Sequence, residues 1–299
     1  MSQAALQQTA PRGAARVLRD YASLLKPRIV VLLVATAVGA MLPAARGIPH
    51  PLAVVAVILG GTFAAGGAHA INCWFDRDID AAMTRTRRRP VPAGRIPPWH
   101  ALALGVLLNL LAFAILALLA NLLAAVLALT GTLIYIFVYT VWLKRSTTQN
   151  IVIGGAAGAI PPLVGWAAVT GRLDLTALAL FAVIFFWTPP HFWALAQLIR
   201  RDYEQAHVPM LPAVAGGEGS AKRQSLVYAL LTIGASLVPF FTHAEGTVYL
   251  AGAAVLGVGL VAICVLDLAS GGWTARLFKY SMVYLAALFV LLGIGTFSA

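Results

Sequence analysis

Charge is scarce in this sequence: Asp, Glu, Lys and Arg make up 10% of its 299 residues, where soluble domains carry about 25%. A chain with so few ionised side chains to spread over a surface is not an ordinary water-soluble globule. Acidic residues are the rarer sign, 10 against 21 Lys and Arg, so any ordered group of carboxylates demands an explanation. Cysteine is almost missing. The two present, Cys73 and Cys264, fall in different apolar segments without the paired spacing of a zinc or redox motif, and they read as small buried residues. The first 25 residues contain no apolar stretch of the kind a secretory leader needs. They carry Arg12, Arg16 and Arg19, and Lys26-Pro27-Arg28 leads straight into the first hydrophobic run. Residues 1–28 are therefore expected to form a cytoplasmic tail, and residues 29–299 a single transmembrane domain.

Apolar side chains fill the space that charge leaves, at 61% of the chain and a mean hydropathy of +0.87. A bilayer core of about 30 Å takes about 20 apolar residues per helix. Nine such runs are visible, near 29–45, 52–71, 99–119, 122–142, 150–170, 175–199, 224–243, 247–268 and 277–297. The expected fold is all-α: a polytopic membrane helix bundle of about nine transmembrane helices around a central cavity. Gly154-Gly155, Pro161-Pro162 and Pro189-Pro190 interrupt the runs, and the backbone groups so freed need partners on neighbouring helices. The net charge of +11 raises the question of nucleic acid, and the placement of the charges answers it. With the N-terminus inside, 19 Lys and Arg fall on the inner side and only Arg46 and Arg172 outside, the asymmetry of cytoplasmic loops. The excess is a topology signal, so the expected partner surface is membrane lipid and no nucleic acid is expected.

Two inner loops, 76–98 and 200–223, are long and carry charge, proline and glycine, whereas the outer connections are short. The end of the second run reads His69-Ala70-Ile71-Asn72-Cys73-Trp74-Phe75-Asp76-Arg77-Asp78-Ile79-Asp80. Steps of four on an α-helix turn a side chain by only about 40° net, so Asn72, Asp76 and Asp80 share one face over about 12 Å of axis. Three oxygen-bearing side chains that begin inside an apolar run are costly unless paired or metal-bound. Hard oxygen ligands suit Mg²⁺, which takes one or two carboxylates together with phosphate oxygens and water. A prenyl diphosphate ionises only if the departing diphosphate is stabilised, and a divalent metal with arginines serves that purpose. Of the adjacent Arg85, Arg87, Arg88 and Arg89, the planar forks expected to meet phosphate are Arg85 and Arg89. Asp78, Arg87 and Arg88 lie off the stripe or have equivalents, and read as a solvated helix end. Asp202, in Arg200-Arg201-Asp202-Tyr203-Glu204, stands on the same inner side, where it completes the metal site or forms a local ion pair.

At these loops the sequence resembles the intramembrane prenyltransferase superfamily that includes 4-hydroxybenzoate polyprenyltransferases, whose first motif is Asn-x3-Asp-x3-Asp. Within it, the segments NCWFDRDIDAAMTRTRRRPVPAG, LKRSTTQNIVIGGAAGAIPPLVGW, FFWTPPHFWALA and DYEQAHVPMLP are similar, in order, to signatures of the haem O synthases. The likeness runs from Lys26 to Tyr284. The superfamily usually carries a second pair of aspartates four apart, whereas here Asp202 is followed at that spacing by Ala206. Haem O synthases share this absence, which favours haem over a small phenol. His207 stands where the family more often has glycine, and neither it nor His69 inherits a role.

The resemblance implies transfer of farnesyl from farnesyl diphosphate to a vinyl group of haem B with addition of water, giving haem O for terminal oxidases. It implies Mg²⁺ held by Asn72, Asp76, Asp80 and Asp202, with Lys144, Arg145 and Asn150 as further diphosphate contacts. The short N-terminal tail favours a bacterial inner membrane over an inner mitochondrial one, and the charge placement puts the N-terminus in the cytoplasm with the active site at the inner face; haem A synthase or oxidase assembly are the partners the resemblance implies. His191, beside Pro189-Pro190 in an apolar helix, is the candidate for haem iron or a propionate. Two alternatives remain open on the residues alone: prenyl transfer to another aromatic or lipid acceptor, and a transporter or oxidase-assembly factor.

Overall fold

The computed structural model describes residues 13–298. Its first element, α1 (Ala14–Leu24), is amphipathic and precedes the bundle; Asp20 binds Arg95 (3.0 Å) and Leu24 is buried against Ala70 and Cys73. Nine helices among the described residues are long and apolar enough to cross a bilayer. They are α2 (Pro27–Ala45), α3 (Pro51–Phe75), α5 (Pro98–Leu119), a composite fourth span (Leu122–Ser146), α8 (Asn150–Thr170), α9 (Leu175–Leu198), α11 (Gly217–Phe241), α12 (Thr247–Ser270) and α13 (Thr274–Ser298). The composite span is α6 (Leu122–Leu133), a π-helical stretch (Ile134–Leu143) and α7 (Lys144–Ser146). Two short inner helices, α4 (Arg77–Ala82) and α10 (Arg200–Gln205), lie in the long loops.

Each span packs on the next, and α13 returns to α2, so the nine close into a ring; α8 also packs on α2, and α13 on α9. The innermost helices are α8 and α9, the two that carry proline pairs. Pro161, Pro162, Pro189 and Pro190 all sit inside continuous helices. They do not break the spans as the sequence led one to expect, because tightly packed neighbours hold the helix on both sides of each proline. Small residues create that proximity. A Cβ on Gly165 would stand 1.9 Å from the Ala37 carbonyl oxygen, so α8 and α2 touch backbone to backbone. Large apolar residues such as Leu110, Val255 and Val283 point outward, as in a bundle solvated by lipid.

Some boundaries differ from the hydropathy pattern. The helix α11 starts at Gly217, seven residues before the apolar run at 224, and α3 continues to Phe75. Hydropathy marks only the part of a helix that lies in hydrocarbon. The first turns of α11 stay helical in a polar setting, with Glu218 paired to Lys222 at i,i+4 (2.9 Å).

Candidate active site

The stripe read from the sequence survives a change of helix. Asp76 caps α3 with φ −84° and ψ 12°, and α4 begins at Arg77. The Asp76 amide still donates to Asn72 O (2.9 Å), and the Asp80 amide to Asp76 O (2.8 Å), so the four-residue repeat runs through the junction. Asn72, Asp76 and Asp80 are 3%, 1% and 3% exposed. Carboxylates this buried need charge-bearing partners, and each member of the file has one from elsewhere in the chain.

Lys26 Nζ donates to Asn72 Oδ1 (2.9 Å), Lys144 Nζ donates to Asp76 Oδ2, and Arg89 Nη1 bridges both oxygens of Asp80 (2.9 and 2.8 Å). Lys26 stands just before α2, and burial, with the positive Arg89 and Lys144 nearby, brings its amine down to about 8. Asn72 Nδ2 donates to Asp76 Oδ2 (2.6 Å) and to Thr140 Oγ1 (3.1 Å). The hydroxyl of Thr140 donates in turn to Tyr135 O, five residues back (2.8 Å), which fits the wide turn of a π-helix. That turn is local to the site: it presents Tyr135, Tyr139 and Thr140 toward the file and ends at Lys144.

The remaining expected residues gather at the same end with different partners. Arg145 is shared, bidentate to Asp78 (2.6 and 2.8 Å) and 3.6 Å from Asp76 Oδ1. Its hydrogen bonds hold the Asp78 carboxyl at about 2. Asp202 Oδ2 accepts from the Arg85 amide (3.3 Å), which ties the loop after α9 to the loop after α4. The Arg85 side chain is exposed and enters no ion pair among the described residues. Arg87 and Arg88 are also exposed. Asn150 is fully buried; its Nδ2 reaches Pro209 O (3.4 Å) and its Oδ1 has no hydrogen-bond partner. A cleft of about 290 Å³ opens beside Asp78, Arg145 and His207. His207 has φ +51°, the left-handed region that a glycine occupies without strain, in keeping with the residue common there in the resembling family.

His191 lies apart from the file. Its ring sits between Trp187 (4.3 Å) and Phe278 (4.9 Å), and Nδ1 is 2.8 Å from Ser281 Oγ. Lys26, Thr140, Tyr135 and Ser281 were not legible as site residues, since each meets its partner across 46 or more positions or through a π turn that hydropathy does not encode.

The donor set fits a magnesium ion of the kind implied above. Asp76 Oδ1 is a buried carboxylate oxygen without a hydrogen-bond partner. No group of three or more His, Cys, Asp or Glu forms a cage among the described residues, and Mg²⁺ does not require one when phosphate and water complete its shell. The concentration of anions and cations at one end of an apolar bundle is suited to taking up a polyanion whose tail is apolar.

Comparison with known proteins bears on the family. The description "UbiA prenyltransferase family" matches residues 32–287. A protoheme IX farnesyltransferase of Gloeobacter violaceus is 53% identical over 291 residues, covering 96% of this chain and 95% of that one. One from Roseiflexus sp. is 51% identical and longer, so this chain spans 53% of its length. A solved digeranylgeranylglyceryl phosphate synthase shares the fold with a TM-score of 0.80 at 18% identity, covering 95% of this chain and all of that one. A UbiA homologue from Archaeoglobus fulgidus bound to DMAPP and Mg²⁺ does so with a TM-score of 0.66 at 18% identity, over 92% of this chain and 99% of that one. With the matched region running through all but the ends of the ring, and half the residues shared with full-length relatives, this multi-pass membrane protein belongs to the UbiA prenyltransferase family.

Proposed function

We propose that the chain joins C1 of farnesyl diphosphate to a vinyl group of protohaem, with water added to give the hydroxyethylfarnesyl side chain of haem O. The observation that carries the diphosphate half is the buried file of Asn72, Asp76 and Asp80, each matched to its own cation at the polar end of the bundle. The acceptor half is supported by relatives named protoheme IX farnesyltransferase that align over almost their whole length. The clustering of polar groups at one end also favours an enzyme over a transporter, whose sites lie near the midplane.

Asn72, Asp76, Asp80 and Asp202 would hold Mg²⁺. The chemistry such an ion supplies when bound is neutralisation of charge on the diphosphate as its ester bond breaks. Arg85, exposed at the mouth, binds the outer phosphate. Arg89, Lys144 and Arg145 give the leaving diphosphate hydrogen-bond donors at fixed positions, so little reorganisation accompanies bond cleavage. Asn150, with a spare acceptor, orients one of these donors or a water. The electron pair of the C1–O bond leaves with the diphosphate, the vinyl group attacks C1, and water captures the new cation and gives up a proton. Apolar walls keep bulk water from quenching the allylic cation first. His191, on the inner helix α9, ligates the haem iron.

The same reading takes residues 29–299 as one catalytic domain in the inner membrane of a bacterium, with the N-terminus and the active site on the cytoplasmic side. Its product would pass to haem A synthase or to terminal oxidase assembly. The test is extraction and mass analysis of haems from cells expressing the chain. A haem heavier by a farnesyl and a hydroxyl group is expected. Unmodified haem B in cells whose membranes contain the folded protein would overturn the reading, and a prenylated phenol or lipid in its place would redirect it to another acceptor.

A further inference from the structure

His191 is held more tightly than packing between two helices requires. Its imidazole lies nearly parallel to Trp187 (17°) on one side and to Phe278 (25°) on the other. Ser281, fully buried on α13, meets it at Nδ1. The same serine accepts at its carbonyl from Trp187 Nε1 (2.7 Å), one helical turn before the histidine. Two rings therefore set the plane of the imidazole, and one residue fixes both aromatic neighbours on α9.

The hydrogen bonds of Ser281 also decide where the imidazole proton is. A serine hydroxyl has one proton to give. Ser281 Oγ donates it to Phe278 O at 2.8 Å, so toward His191 the oxygen is an acceptor. The bond at 2.8 Å is then Nδ1–H donating to Ser281 Oγ. Reversing it would require the hydroxyl to abandon Phe278 O and would leave an N–H on Nε2, for which no acceptor is present among the described residues. The lone pair is left on Nε2, on the edge of the ring away from Ser281, and His191 itself is only half-buried.

We infer that Ser281 is a positioning residue for the haem substrate: by accepting the Nδ1 proton it fixes His191 in the tautomer whose Nε2 ligates iron. The inference rests on the proposed haem reading. An acceptor at the second nitrogen of a ligating histidine fixes its orientation and raises its basicity, and loss of such a partner costs about 10–100-fold in metal affinity. Here the acceptor is a hydroxyl, which binds the proton without adding a buried charge beside an apolar macrocycle.

The full-length purified protein is titrated with haem B, and the Fe–His stretch of the ferrous complex is recorded by resonance Raman. Ser281→Ala should weaken haem binding at least about tenfold and lower the stretching frequency, while binding of farnesyl diphosphate stays as in the parent protein. A Ser281→Ala variant with unchanged affinity and frequency, alongside a His191→Ala variant that loses the band, would overturn the role of Ser281 and leave the haem ligand standing. A band that persists in His191→Ala would overturn the ligand assignment and this inference with it. A second measurement needs no serine variant: ¹⁵N shifts of the unliganded protein, assigned against His191→Gln, should show the proton on Nδ1, and a proton on Nε2 would refute the inference.

Discussion

Asp76 and Asp80 are ion-paired carboxylates in places where water cannot screen them, at 1% and 3% exposed. Removing the negative charge from such a pair leaves a partly buried cation without its counterion, which lowers stability. Asp76→Asn strands Lys144 and Asp80→Asn strands Arg89. Each also removes a hard oxygen charge from the proposed diphosphate site. Either substitution is expected to lower haem O formation by at least an order of magnitude, measured as diphosphate release per folded enzyme. Near-parental turnover in both variants would remove the metal and diphosphate role of the file. At this scale the repeat of four was legible because helical periodicity is local. The partners were not, because Lys26 and Thr140 reach Asn72 from 46 and 68 positions away.

Among the elements, the far end of the bundle holds a carboxyl with no part in this chemistry. Glu245, in the turn between α11 and α12, is 4% exposed. Its Oε1 faces Thr296 Oγ1 on α13 (3.3 Å), and its Oε2 has no hydrogen-bond partner. A Cβ on Gly295 would lie 1.8 Å from that second oxygen, so a larger residue there would displace the carboxylate. Burial raises the Glu245 carboxyl from its ordinary 4.5 to about 7. The folded protein thus binds more protons than the unfolded chain between these values, and stability falls as pH rises from about 4.5 to about 7, then levels off. Glu245→Gln should abolish that slope. Thermal unfolding in detergent is expected to show the parent losing a few degrees of Tm against Glu245→Gln between pH 5 and 8. Parallel profiles would show that this carboxyl is not driven neutral by its site. Other features at this scale also escaped the sequence. The π turn in the fourth span and the unbroken prolines of α8 and α9 depend on neighbouring helices, whereas hydropathy reports only the solvent each residue prefers.

The whole molecule places its charge on one side. The long loops after α3 and α9, with their arginines, emerge at the end where the file lies, and Arg46 and Arg172 emerge at the other. The proposed orientation puts the first end in the cytoplasm. Single cysteines at Thr84 and Gln205, both exposed, should resist a membrane-impermeant thiol reagent added to intact cells, while one at Arg172 should react. Labelling of the first two from outside would invert the topology and move the active site to the other face. Composition and periodicity determined that the chain lives in a bilayer, how many times it crosses, which loops share a side, and that Asn72, Asp76 and Asp80 lie in one line. All of these follow from the solvent preference of each residue and the pitch of a helix, which act within a few turns of chain. Only the tertiary structure decided that Lys144 and Arg89 pair with Asp76 and Asp80, that Lys26 donates to Asn72, and that Ser281 meets His191. The lysine pairings and the Ser281 contact join residues 46 to 90 positions apart, brought together when distant helices pack, whereas Arg89 reaches Asp80 within one loop whose fold the sequence alone does not show.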